Sequence, residues 1–133
     1  MQRCAKIVTR SSYGEYAAVH QFLEAFFCRE RYSSRFSERL HLAMKEAFVN
    51  AVRHGNRGVE DLSVGLSLSA SAASLVASIT DCGCGFDLEA IPDPRNHAQL
   101  SGRGIFIIRS IAEIIGLERT SRSFTMLLRS TPY

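Results

Sequence analysis

The chain has 133 residues, which fits a single domain over 1–133 with a hydrophobic core of its own. Apolar residues make up 46% and charged residues 22%, ordinary values for a globular protein. The net charge is +3, and the basic residues Arg119, Arg122 and Arg129 are spaced apart, so composition gives no argument for nucleic acid. No stretch approaches ~20 consecutive apolar residues, so no membrane span is expected. The opening MQRCAKIVTR lacks the apolar run of a signal peptide, and a cytoplasmic location is the expectation. Cys4, Cys28, Cys82 and Cys84 include no C-x-x-C pair and read as small buried thiols in a reducing compartment.

Taken in chain order, RCAKIVT (3–9) alternates enough for an edge strand, and Ser11 and Ser12 then offer caps for a helix. From Tyr13 to about Arg31, the residues Tyr16, Ala17, Val19, Phe22, Leu23, Phe26 and Phe27 recur at helical spacing. RYSSRFSERL breaks that helix and starts a second, with Ser34 or Ser37 as its cap. The second helix is expected to reach Arg53 and to stop at Gly55 in a left-handed turn. LSVGLSLSAS (62–71) and SLVASITD (74–81) read as two strands of a hairpin. Residues 82–104 hold four of the nine glycines and two of the three prolines, and read as a loop. IFIIRSIAEIIG (105–116) reads as an apolar helix ended by Gly116, and LERTS with SFTMLLRS as a closing hairpin. The order β-α-α-β-β-loop-α-β-β predicts an α+β fold, a two-layer α/β sandwich. Its sheet would be mixed but mostly antiparallel, with the helices on one face.

Three short segments carry polar residues that the fold alone does not require. In LAMKEAFVNAVRHGN, Glu46 and Asn50 are i and i+4 and share one helix face, although Asn is a mediocre helix former. Taken alone, the pair reads as readily as a solvated face with a weak surface hydrogen bond. In ITDCGCGFD, Asp81 ends a strand and is followed by Gly83 and Gly85. A carboxylate is an acceptor that can hold an exocyclic amine, and glycines admit close approach to the backbone; an ordinary Asp-Gly turn is the alternative. In SGRGIFII, Gly102, Arg103 and Gly104 open a helix, whose first N–H groups make an anion site; a glycine hinge is the alternative. Neither G-x-G-x-x-G nor G-x-x-x-x-G-K-[ST] is present.

In order and spacing these three segments resemble the N box and two glycine boxes of the GHKL ATPase superfamily, the Bergerat fold. LAMKEAFVNAVRHGN closely resembles the N box of the bacterial anti-sigma factor serine kinases. The resemblance runs from the first helix to the last strand. It implies ATP and Mg²⁺ as cofactors, Glu46 as general base, Asn50 as metal ligand and Asp81 as the reader of adenine. Gly83 and Gly85 would shape the adenine pocket, and Gly102, Arg103 and Gly104 would wrap the phosphates. Thr125, in SFTMLL, resembles the late-strand hydroxyl that helps the aspartate hold adenine through water. His54 and Asn56 follow the N box, and His54 reads as structural or at the pocket rim and not as catalytic. His20, His41 and His97 show no ligand constellation in the sequence.

Sensor histidine kinases share these boxes but carry a phosphoacceptor helix hairpin upstream, and only 45 residues precede Glu46. With a short lid between Gly85 and Gly102, the expectation is the stand-alone anti-sigma type. By resemblance, such a protein binds a sigma factor, phosphorylates a serine on an anti-anti-sigma antagonist protein, and forms a homodimer, without direct contact with nucleic acid or membrane. The alternative is an ATP-gated binding module without significant kinase activity. A DNA-binding reading has only the isoelectric point near 8.8 in its favour.

Overall fold

The computed structural model describes residues 2–57, 59–81, 100–119 and 124–131. Strand β1, Arg3–Arg10, leads through a Ser12-capped turn into helix α1, Tyr16–Arg29. Val19, Leu23, Phe26 and Phe27 are its buried residues, at the spacing that places one stripe against a core. Arg3 Nε donates to both carboxylate oxygens of Glu30, at 2.8 and 2.9 Å, which ties the start of β1 to the end of α1. That hydrogen bond, reinforced by the charges of Arg3 and Arg29, holds the Glu30 carboxyl below its usual range although burial opposes it.

The end of α1 is closed by an arginine in the left-handed conformation. Arg31 has φ 58°, the Arg31 N–H donates to the Cys28 carbonyl at 3.1 Å, and the Tyr32 N–H donates to Phe27 at 3.1 Å. This is the Schellman pattern, and the rings of Tyr32 and Phe27, 5.9 Å apart, supply its apolar contact.

Helix α2, Ser34–Asn50, is capped by Ser33, whose hydroxyl accepts from the Phe36 N–H at 3.2 Å. The cap therefore lies one residue before Ser34, because Ser33 is the residue still in extended conformation. The helix does not stop at Gly55 in the expected way. It widens after Asn50 into one π-helical turn, Ala51–Gly55, closed by the Asn56 N–H on the Ala51 carbonyl at 2.8 Å. The left-handed residue is Arg57, φ 53°.

Strands β2, Ser63–Ala70, and β3, Leu75–Asp81, follow as expected, and helix α3, Leu100–Ile111, packs along α2. The expected helix over 105–116 is corrected here: it ends at Ile111, and Glu113–Arg119 is strand β4, antiparallel to β5, Phe124–Ser130. The β-branched Ile114 and Ile115 suit either period, and pairing of Ile114 with Leu128 and Leu117 with Met126 decides for strand. Gly116 stops no helix. It sits at a register shift where a Cβ would meet Leu127 Cδ1 at 2.9 Å.

Among the described residues the sheet order is β1-β2-β3-β5-β4 and all four pairings are antiparallel, so the mostly antiparallel character expected holds and the parallel pairing of a mixed sheet is not found there. Along β2 and β3 the side chains alternate between buried and half-buried. Rows such as Leu66–Ile79–Met126 and Leu68–Ala77–Leu128 form the inner face, in one cluster with Leu23, Phe27, Leu40, Met44 and Phe48 of the helices. The helices thus cover one face, and no described helix is long and apolar enough to cross a membrane. The opposite face carries Thr80, Thr125, Ser67 and Ser78, all half-buried. Cys4 and Cys28 are exposed, contrary to the buried thiols expected, because they fall on the outward positions of β1 and α1.

Candidate functional site

The apolar period of α2 places Ala43, Met44, Ala47 and Phe48 inward, and it carries Asn50 inward with them. Asn50 is 4% exposed, so the solvated-face alternative fails for this residue. Its Nδ2 is buried without a hydrogen-bond partner. Leaving such a group unpaired costs about 1–3 kcal/mol, so a fold that keeps it needs a reason outside the apo core. Glu46 lies one turn earlier and is half-buried.

The π-helical turn begins at the next residue. π turns inside α-helices redirect side chains and recur at functional sites. This one packs against β3, the strand that ends in Asp81. Asn56 locks it in place: its Nδ2 donates to the Ser63 carbonyl at 2.9 Å, at the start of β2. Asp81 is 3% exposed and follows Leu75, Ala77 and Ile79 on the inner face. The structure therefore brings the end of the Glu46–Asn50 helix and the Asp81 end of β3 to the same side of the sheet.

Arg39 Nη2 donates to the Ser110 carbonyl at 3.4 Å, which fixes the last turn of α3 beside the first half of α2. Helix α3 packs on α2 over several residues, the contact that the resemblance requires if Gly102, Arg103 and Gly104 are to approach Glu46 and Asn50. Because α3 starts at Leu100, Gly102 lies in its first turn and Gly104 in its second.

Thr125 is not brought to Asp81. In the register Asp81 lies opposite Phe124, and Thr125 lies opposite Thr80, one pleat away and on the other face. The Thr125 hydroxyl is 2.7 Å from that of Thr80 instead. Successive strand residues point to opposite faces, so one position decides the matter. Gly83, Gly85 and His97 lie outside the described residues.

A carboxamide can turn its oxygen or its nitrogen toward the same point, and a carboxamide oxygen is a hard neutral donor. Mg²⁺ takes such donors together with phosphate oxygens and water. The unsatisfied, buried amide of Asn50 therefore fits an Mg²⁺–phosphate group.

A second polar cluster lies on the other half of α2, and the sequence reading missed it. His41 Nε2 is 2.5 Å from Glu24 Oε2, and the His41 ring stacks on His20 with centroids 4.3 Å apart. The signal present in the sequence was the i, i+4 spacing of His20 and Glu24 on α1. The third member comes from another helix, and no spacing along the chain reveals it.

The family of histidine kinase-like ATPase domains matches residues 9–128. No curated protein sequence matches the chain significantly. Among solved structures, that of the RsbU and RsbW domains of Rv1364c from Mycobacterium tuberculosis is similar, with TM-score 0.63 and 14% identity. The similarity covers 97% of this chain and 32% of that one. The histidine kinase domain of the Erythrobacter litoralis EL346 blue-light activated histidine kinase is also similar. There the TM-score is 0.52 and the identity 21%, over 72% of this chain and 44% of that one. The chain thus spans less than half the length of either neighbour, and the likeness is one of fold.

Proposed function

The chain belongs to the histidine kinase-like ATPase domain family, and from that premise we propose that it is an ATP-dependent serine protein kinase acting as an anti-sigma factor. Its N box supports this branch, and so does the fold shared with a chain that includes an RsbW domain. In this reading it binds a sigma factor as a homodimer and phosphorylates a serine of an anti-anti-sigma antagonist. The observation that carries the nucleotide site is the buried Asn50 side chain with its amide nitrogen unpaired, one helical turn beyond Glu46.

In the proposed reaction Asp81 accepts a hydrogen bond from the adenine amine, and Gly83 and Gly85 let the ring lie against the backbone. Gly102, Arg103 and Gly104, early in α3, wrap the phosphates: the first-turn N–H groups of Gly102 and Arg103 donate, Arg103 adds a fixed charge, and Gly104 gives room for close approach. Asn50 offers its amide oxygen to Mg²⁺, which when bound offsets the charge of the phosphates. Glu46 accepts the proton of the serine hydroxyl. The serine oxygen bonds to the γ-phosphorus, the bond from that phosphorus to the bridging oxygen breaks, and ADP leaves. Thr125 has no part in this site, since it faces away from Asp81.

The test is incubation with ATP, Mg²⁺ and a candidate antagonist protein, following phosphoserine. Transfer by the wild type that fails in Glu46→Gln supports the reading; equal transfer in both removes Glu46 as base. A chain that binds ATP and gates partner binding without any transfer is instead the ATP-gated module.

A further inference from the structure

We propose that His20, Glu24 and His41 form a divalent transition-metal site, best suited to Zn²⁺, that clamps α1 to α2. One donor atom from each residue lies within 4.8 Å of the others. Two imidazoles and one carboxylate are the donor set of zinc sites that keep a fourth position for water. Imidazole nitrogen also favours Zn²⁺ and its neighbours over Mg²⁺ or Ca²⁺. The site is therefore distinct in chemistry from the oxygen-rich one proposed at Asn50.

The arrangement is built from both helices. His20 and Glu24 are one turn apart on α1 and exposed, so both can rotate. His41 is held. Its side chain is 16% exposed, its ring stands edge-on to Phe27 at 5.0 Å, and its backbone carbonyl accepts from the Tyr16 hydroxyl at 3.3 Å. Burial pushes that hydroxyl's pKa up to about 12, so it remains a donor. Zinc bonds of about 2.0–2.2 Å set tetrahedral donors roughly 3.3–3.6 Å apart, so Glu24 Oε2 must back away from His41 Nε2 as the metal enters while His20 adjusts to complete the set. The two exposed side chains supply that movement while His41 stays fixed. A histidine–carboxylate ion pair alone accounts for Glu24 and His41 but not for the stacked His20.

The experiment is a calorimetric titration of the full chain with ZnCl₂, without nucleotide, so that its outcome does not depend on the kinase reading. The expected result is saturable uptake of one ion per chain and a rise in the melting midpoint. His20→Gln and Glu24→Gln, both at exposed positions, are expected to keep the wild-type circular dichroism and to lose at least about tenfold in zinc affinity. Absence of saturable uptake overturns the site. So does equal affinity in His20→Gln, which is also the result if the cysteine thiols hold the zinc.

Discussion

The two halves of α2 treat polar side chains in opposite ways. At the Asn50 end a carboxamide is buried among Ala47, Phe48 and Ala51 and left with an unpaired nitrogen. At the His41 end an imidazole meets a carboxylate from the neighbouring helix, near the surface. There the imidazole Nε2 has its partner, although Nδ1 is buried without one. At Asn50 the amide nitrogen has no such partner. A buried nitrogen left unpaired costs stability in the empty fold; the proposed nucleotide site accounts for that cost at Asn50, whereas at His41 the Nε2–Glu24 contact offsets part of it.

Three substitutions probe that contrast at the nucleotide end. Glu46→Gln is expected to have the largest effect, lowering phosphoryl transfer by about 10²–10⁴-fold, the range of general-base catalysis. Nucleotide binding measured by calorimetry should stay near wild type, so a matching loss of binding would recast Glu46 as a ligand-positioning group. Asp81→Asn comes next. It should weaken ATP by about 1–3 kcal/mol, yet leave a nucleotide lacking the 6-amino group almost unaffected. Equal losses for the two nucleotides in the same assay would remove Asp81 from adenine recognition. Asn50→Leu exchanges the unpaired amide for an apolar group of similar size. Chemical denaturation without nucleotide should show a gain of roughly 1 kcal/mol, together with loss of Mg·ATP binding. A variant less stable than wild type would mean that the amide is satisfied after all.

A smaller effect is expected where the molecule bears a strain that has no link to the site. Arg31 holds a left-handed φ of 58° to close α1. Arg31→Gly should stabilise the chain by about 1 kcal/mol in the same denaturation experiment, with kinase activity unchanged. If stability falls instead, the arginine side chain contributes more than its backbone costs.

Much of this was legible in the sequence, and the exceptions follow a pattern. The inward alternation of Val64, Leu66 and Leu68 and the stripe of Val19, Leu23, Phe26 and Phe27 are single-element periodicities, and both appear as expected. Glu46 with Asn50, Asp81 with Gly83 and Gly85, and Gly102 with Gly104 were readable as three segments of one resemblance. The failures come where a second element decides. Ile114 and Ile115 suit helix or strand until β5 pairs beside them. Thr125 sits one residue out of phase with Asp81, and only the β3–β5 register shows it. The π turn after Asn50 is likewise invisible in a helical period. Its cause is tertiary, the packing of residues 51–55 on β3 and the anchoring of Asn56 to Ser63.

The most direct measurement is a calorimetric titration of the wild-type chain and Asn50→Ala with ATP, each with Mg²⁺ and again with chelator. The wild type is expected to bind ATP saturably, one to one, and more tightly with the metal, and the variant to lose that metal-dependent gain. No ATP uptake with Mg²⁺ present, or the same metal-dependent gain in both proteins, would contradict the proposed nucleotide site.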